Sequence, residues 1–144
     1  MSLIGDDIVV LARSWVGTPY HHQASIKQVG TDCLGLVRGV YRELYGKEPE
    51  NIPTYSSDWA EASGVETMLE GANRHLERVA VADAVPGDVL IFRFRRGTLA
   101  KHAGILSAEN RMVHALEGAR VSEIYLGSWW RRRIAAVFRY PRVS

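Results

Sequence analysis

In Thr31-Asp32-Cys33-Leu34-Gly35-Leu36-Val37 the chain carries its only cysteine among 144 residues. A turn-like segment with Gly30 precedes this stretch and an apolar-periodic segment follows it, which places Cys33 at or near a helix N-terminus. Backbone N–H groups and the helix dipole stabilise a thiolate there, so we expect a lowered thiol pKa. Because a lone cysteine cannot form an internal disulfide, Cys33 is either an inert apolar side chain or a nucleophile.

The composition is that of an ordinary soluble globular domain. Hydrophobic residues make up 47% and charged residues 24% of the sequence, which predicts a single domain over residues 1–144. One cysteine excludes a disulfide framework. The N-terminal segment carries Asp6 and Asp7 without a basic stretch, and no apolar run approaches the roughly 18 residues that span a bilayer. We therefore expect synthesis in the cytoplasm, no signal peptide and no membrane span.

The net charge of +2 is small but unevenly distributed, with two arginine groups: Arg93, Arg95 and Arg96, and Arg131, Arg132 and Arg133. Such groups form a solvated face or contact an anionic partner such as a polymer or a neighbouring protein. The sequence contains no nucleic-acid-binding motif and few interleaved aromatic residues, so nucleic-acid binding is not expected.

Helical patterns dominate the first half of the chain. The predicted helices cover residues 4–16, 33–45 and 58–79. Gly17 and Gly46 are expected to end the first two helices, because glycine adopts the left-handed conformation found at helix C-termini. Asp32 or Thr31 is the expected N-cap of the second helix, since either side-chain oxygen can accept a free helix N–H.

Short strands dominate the second half of the chain. The predicted strands cover residues 89–94, 102–106, 112–115 and 134–140, with turns at 85–88, at 109–111 and around Gly97. Helices followed by hairpin-linked strands indicate an α+β fold in which N-terminal helices pack on a central antiparallel sheet.

Two histidines fall on neighbouring predicted strands. His102 and His114 are close in space if their strands pair, since directly opposite Cβ atoms lie about 5 Å apart. Cys33 as nucleophile, His102 as base and His114 as the group that orients the base would form a catalytic set without a cofactor. The backbone N–H of Cys33 and the hydroxyl of Tyr20 are candidate oxyanion donors.

Spacing alone leaves other interpretations open. Cys33 could be an inert buried thiol, and each histidine could be structural. Cys33, His102 and His114 are also residue types that bind zinc and would leave one coordination position open, although paired metal-binding spacing is absent from the sequence.

Five motifs together resemble the NlpC/P60 family in the same order. They are Gly17-Thr18-Pro19-Tyr20, the cysteine stretch 31–37, Pro86-Gly87-Asp88-Val89-Leu90-Ile91-Phe92, His102-Ala103-Gly104-Ile105 and Val113-His114-Ala115. The resemblance extends from about residue 4 to about residue 140. It implies a papain-like fold and a cysteine peptidase of peptidoglycan stem peptides, which typically cleaves between D-glutamate and diaminopimelate or lysine.

The resemblance also implies residue roles. Cys33 matches the nucleophile, His102 the base and His114 the third polar residue. Tyr20 matches a tyrosine beside the nucleophile and oxyanion site, and Asp32 matches an acid that shapes the substrate site. The chain looks like compact members encoded with phage tail and gene-transfer-agent genes, which implies action on the cell wall or periplasm and phage-like tail proteins as partners.

One position departs from the family pattern. Leu34 follows the cysteine, where the family usually has a serine that makes a polar contact in the substrate cleft. An apolar neighbour favours an alternative, a papain-like acyltransferase or amidase acting on another substrate. A further alternative is a non-catalytic structural component of a phage-like tail, docked through the arginine groups.

Overall fold

The structure is a computed structural model that describes residues 3–48, 67–94 and 101–142. Its helices are α1 (Leu3–Arg13), α2 (Cys33–Tyr45), α3 (Thr67–His75) and α4 (Ser128–Arg131). Its strands are β1 (Ser25–Ile26), β2 (Gly30–Thr31), β3 (Glu77–Val79), β4 (Val89–Phe92), β5 (His102–Ala108), β6 (Arg111–His114), β7 (Ser122–Tyr125) and β8 (Ile134–Arg139). Within these ranges, no helix has the length and apolar character needed to cross a membrane.

Six strands form one sheet in the order β3-β8-β4-β5-β6-β7, and every neighbouring pair is antiparallel. Strands β1 and β2 form a separate small hairpin just before α2. Helices α1 and α2 contact each other and both contact β5, a central strand of the sheet. The predicted α+β fold, with N-terminal helices on an antiparallel sheet, is therefore confirmed.

Both faces of the sheet are covered, which explains why β4 is apolar throughout. Val89 and Ile91 join the core between the sheet and the helices. Leu90 and Phe92 point to the opposite face, where they join a second core with Trp130 at its edge. Strands buried on both faces lose the alternation of polar and apolar residues seen in half-exposed strands.

The predicted bounds of α2 match the structure. Asp32 is the N-cap, and its Oδ1 accepts a hydrogen bond from the Gly35 N–H at 2.7 Å. Gly46 ends the helix with a φ of 82° and donates its N–H to the Arg42 carbonyl oxygen. Cys33 is therefore the first residue of the helix.

Helix α1 ends earlier than its pattern predicts. Its last residue is Arg13, and residues 14–17 form turns that finish at Gly17 with a φ of 94°. The Gly17 N–H donates to the Val121 carbonyl oxygen at 2.8 Å, so a tertiary hydrogen bond replaces a further helical turn.

The third predicted helix is wrong in its last part. Helix α3 ends at His75, and residues 77–79 form β3, which pairs with β8. Strand pairing overrides the helical pattern there. Residues 58–66 and Gly97 lie outside the described residues. Strands β1, β2 and β7 escaped prediction because two-residue strands and a partly exposed edge strand carry little pattern.

The Pro86-Gly87-Asp88 turn precedes β4 and links it to β8, the neighbouring strand. Gly87 has a φ of 100°, and an added Cβ would lie 3.0 Å from the backbone of Gly5. The buried Asp88 carboxylate accepts from the Val85 N–H and from two nitrogens of Arg139 at 2.8 and 2.9 Å. The motif thereby ties the start of β4 to the end of β8.

Gly39 of α2 packs directly against the side chain of Trp15, and we expect Gly39→Ala to destabilise the protein. An added Cβ would lie 2.2 Å from an indole carbon of the buried Trp15, so the expected loss in free energy of unfolding is about 1–3 kcal/mol. Chemical denaturation measures it.

Gly71→Ala is the matched control for this substitution. Gly71 lies inside α3, where an added Cβ meets nothing within 4 Å, so alanine is expected to stabilise the protein by about 0.5–1 kcal/mol. Equal effects of the two substitutions would contradict the packing argument.

Candidate active site

Cys33 presents its thiol at the first turn of α2. Asp32 takes up two N–H groups of that turn, because its side chain accepts from Gly35 and its carbonyl oxygen accepts from Leu36. The N–H groups of Cys33 and Leu34 lie against the thiol, and so does the backbone N–H of Ala103 on β5. The thiol is thus beside the residue that directly follows His102.

The predicted lowering of the Cys33 pKa is wrong. Burial raises the pKa of the thiol to about 12, and the nearby Asp32 carboxylate raises it further. The backbone N–H groups of Ala103, Leu34 and Cys33 act in the opposite direction but do not outweigh the loss of hydration. The helix start therefore holds a neutral thiol rather than a thiolate.

His102 and His114 are brought together as predicted, but on a diagonal rather than directly opposite each other. Nε2 of His102 lies 3.0 Å from Nδ1 of His114. The residue opposite His114 is Gly104, and the residue opposite His102 on the other side is Phe92. Because Gly104 has no side chain, the two imidazole rings can meet across the space it leaves.

Both imidazoles are neutral at ordinary pH. Burial lowers the pKa of His102 to about 3, with a smaller contribution from His114. Burial lowers the pKa of His114 to about 4. If Nε2 of His102 carries its proton and donates to His114, Nδ1 of His102 is left as a free proton acceptor. A base needs a ring nitrogen without a proton, and in this tautomer Nδ1 of His102 is that nitrogen.

These two pKa values predict a loss of stability in acid. Their folded-state values lie below the usual 6.5, so the unfolded chain takes up protons that the folded chain does not as pH falls. The free energy of unfolding is expected to fall between about pH 6 and 4, by up to about 1.4 kcal/mol per pH unit for each histidine. Chemical denaturation across this range measures the slope.

The His102→Gln variant separates this contribution from other titrating groups. Its unfolding free energy is expected to depend less steeply on pH than that of the wild type over the same range. Parallel curves for the two proteins would contradict the assignment of His102 as a buried neutral group.

Tyr20 lies close to the nucleophile. Its backbone forms a parallel bridge with Thr31, two residues before Cys33. Burial raises the pKa of its hydroxyl to about 12, and the charges of Cys33, Asp32 and Glu117 add to the shift. The hydroxyl therefore keeps its proton at neutral pH and can donate a hydrogen bond at the site.

Asp32 joins the loop before the site to the helix that carries the nucleophile. While Oδ1 accepts from Gly35, Oδ2 accepts from the Gln23 N–H at 2.7 Å. Nδ1 of His22 is 3.7 Å from the same Oδ2, although His22 carried no predicted role. The carboxylate is buried and held by two separate segments.

Sequence reasoning missed an aromatic cluster around the histidine pair. Phe92, Phe94 and Trp130 all pack against His102, with ring centroids 5.8, 5.5 and 5.6 Å from it. The consecutive tryptophans Trp129 and Trp130 were the available signal, but nothing in their local pattern links them to the distant His102.

The arginine groups have partly internal roles. Arg131 donates to the Glu109 carbonyl oxygen and the Asn110 side chain, and Arg133 donates to the Phe94 and Trp129 carbonyl oxygens. Arg95 and Arg96 lie outside the described residues.

The zinc interpretation receives no further support. Across the described segments, no group of three or more His, Cys, Asp or Glu side chains is arranged to hold a metal ion.

Three curated proteins are similar to this chain in sequence. Over 139 residues the chain is 27% identical to "Gamma-DL-glutamyl hydrolase" of Bacillus subtilis, covering 95% of this chain and 30% of that protein. It is 24% identical over 136 residues to "Probable endopeptidase NlpC" of Escherichia coli, covering 90% and 77%. It is 25% identical over 116 residues to "Tail tip assembly protein K" of Escherichia phage N15, covering 78% and 46%. The chain thus spans less than half of two of these relatives.

Solved structures share the fold. The chain matches NlpC2 from Trichomonas vaginalis with a TM-score of 0.66 at 19% identity, covering 95% of this chain and 47% of that one. It matches the NlpC/p60 domain of the peptidoglycan hydrolase SagA with a TM-score of 0.63 at 23% identity, covering 93% and 97%. The predicted papain-like fold is thereby confirmed. Because the model of the NlpC/P60 family also matches residues 17–139, the chain belongs to that family.

Proposed function

We propose that the protein is a cysteine endopeptidase that hydrolyses peptidoglycan stem peptides, with Cys33 as nucleophile, His102 as base and His114 as the residue that orients the base. Two observations support this proposal: the His102–His114 hydrogen bond of 3.0 Å, and the contact of the Cys33 thiol with the backbone N–H of Ala103, the residue that follows His102. A nucleophile, a base and an orienting group are the parts that covalent amide hydrolysis needs.

Cys33 and His102 are both neutral before the reaction, and this determines the first proton transfer. The Cys33 proton passes to Nδ1 of His102 as the sulfur forms its bond to the amide carbonyl carbon, so no free thiolate accumulates. The oxyanion collapses, the carbon–nitrogen bond breaks, and the His102 imidazolium gives its proton to the leaving amine. Water then attacks the thioester, its proton passes through His102 to the departing sulfur, and the acid product leaves.

The oxyanion has candidate donors on two sides. The backbone N–H of Cys33 lies at the helix start, and the Tyr20 hydroxyl keeps its proton because of its raised pKa. Preorganised donors of this kind stabilise charge that develops in the transition state. Asp32, which holds the loop and the helix together, gives the substrate site its shape.

The proposed bond is the one between D-glutamate and diaminopimelate. The name of the Bacillus subtilis relative supports a glutamyl bond, and the SagA structure supports peptidoglycan as the polymer. Tail association is a finer part of the proposal. The name of the phage N15 relative supports it, and action would then be at the cell wall or periplasm, with phage-like tail proteins as partners.

Mass spectrometry of defined muropeptides digested by the purified protein tests the proposal. Fragments ending at D-glutamate, with a new amine on diaminopimelate, are the expected result. Substrates with lysine in place of diaminopimelate measure the preference for the third residue. Intact muropeptides after prolonged incubation with the folded protein would overturn the proposal.

Leu34 favours a second candidate, acyl transfer or amide hydrolysis on a more apolar substrate. It is half-buried directly after the nucleophile, where an apolar side chain suits an apolar group better than a charged one. Trapping an acyl group on Cys33 from lipid-derived esters, with no acyl-enzyme from muropeptides, would favour this candidate over the first. Co-elution of an inactive protein with phage-like tail proteins would instead favour a structural role.

A further inference from the structure

Among the described residues, Trp130 has a ring that contacts both histidines. Its ring centroid is 5.6 Å from that of His102 at an interplanar angle of 35°. It is 5.2 Å from that of His114, with the two rings nearly perpendicular at 87°. One tilted and one edge-on contact place the indole beside the hydrogen bond that links the two imidazoles.

The segment that carries Trp130 is fixed on both sides. Trp130 lies in the short helix α4, and Arg131 joins that helix to the β5–β6 turn through Glu109 and Asn110. Arg133 follows α4 and donates to the Phe94 carbonyl oxygen at 3.2 Å. The indole is therefore held against the histidines by contacts from outside the site.

Phe94 adds a further aromatic contact to His102 and also packs against Trp130, with their ring centroids 6.2 Å apart. Its ring is 5.5 Å from the imidazole at an angle of 28°, which is a stacked arrangement. His102 is 4% and His114 3% exposed, so little water reaches either ring. A hydrogen bond shielded from water is stronger, and a wrongly oriented imidazole finds few other partners there.

We propose that Trp130 is a positioning residue that holds the His102–His114 pair in the single tautomer and orientation required of the base. The indole acts through the histidines and not on the substrate. Its face is also available to the imidazolium that forms when His102 takes the thiol proton, since a cation is attracted to an aromatic face. This inference rests on the proposed roles of His102 and His114.

Trp130→Leu tests the inference by two independent measurements. Nitrogen-15 NMR of the histidine rings at neutral pH is expected to show His102 with Nε2 protonated in the wild type and averaged tautomers in the variant. The kcat for muropeptide cleavage is expected to fall between about 10- and 100-fold, with KM changed less than about 2-fold. Trp130→Met replaces the flat ring with a long, flexible side chain and is expected to show the same averaged tautomers and the same fall in kcat. It is the variant to measure if Trp130→Leu does not fold.

Trp129→Leu is the matched control. Trp129 is 48% exposed, and its ring packs on Trp130 and Phe94. Its replacement is expected to leave the His102 tautomer fixed. Wild-type histidine spectra in the Trp130 variants, or averaged tautomers with an unchanged kcat, would overturn the inference. The NMR result does not depend on substrate, so a protein that cleaves no muropeptide but shows the expected tautomers would contradict the proposed function alone.

Discussion

Replacing Cys33 with alanine is expected to abolish release of muropeptide fragments, lowering kcat by at least about 1,000-fold. The substitution removes the sulfur that forms the thioester, and neither His102 nor His114 can replace it as nucleophile. Its effect on the fold is expected to be small, because Asp32 still caps the helix through Gly35. Mass spectrometry of digests, with circular dichroism to confirm folding, measures both effects.

The Cys33→Ser variant is the matched comparison for the nucleophile. A hydroxyl keeps the shape and the hydrogen-bonding capacity of the side chain but is a weaker nucleophile than sulfur, so serine is also expected to lose most activity. Full activity in a purified, folded Cys33→Ala protein would show that another residue performs the chemistry.

Alkylation of Cys33 is expected to accelerate steeply with pH in the free protein. With a thiol pKa of about 12, the thiolate fraction rises about tenfold for each pH unit below that value. The rate with iodoacetamide is therefore expected to be about 100 times higher at pH 9 than at pH 7. Intact-protein mass spectrometry follows the reaction at this single cysteine.

A thiolate–imidazolium pair would behave differently. It would keep the thiolate populated across neutral pH, and the alkylation rate would change little between pH 7 and 9. The His102→Gln variant is the control: if the resting thiol is neutral, this variant keeps the tenfold rise per pH unit. A flat profile in the wild type that becomes steep in His102→Gln would contradict the neutral resting state.

The main elements were predictable because their signals are local. Asp32 and Gly46 mark the two ends of α2, and an N-cap carboxylate and a left-handed glycine have the same effect in any fold. Strand β4, at the centre of the sheet, was predictable because it is continuously apolar. Strand β3 was not, because its pairing with β8 is a tertiary interaction that overrides a helical pattern.

The candidate site likewise has features that could be predicted from local sequence and features that depend on tertiary packing. The His102–His114 contact followed from two strands joined by a tight turn, but the role of Gly104 depends on the exact register. The direction of the Cys33 pKa shift could not be predicted, since it depends on how deeply α2 is buried against β5. The position of Trp130 also depends on tertiary packing, because it lies 16 positions after His114 in the sequence.

The two hydrogen bonds that hold the Asp32 carboxylate have a consequence for how the protein survives before it meets its substrate. Gln23 and Gly35 hold this carboxylate beside the sulfur, where it adds to the effect of burial in raising the pKa of the thiol. Peroxides oxidise thiolates far faster than thiols. A cysteine kept protonated by burial and by this carboxylate is therefore expected to resist conversion to sulfenic acid before it meets its substrate.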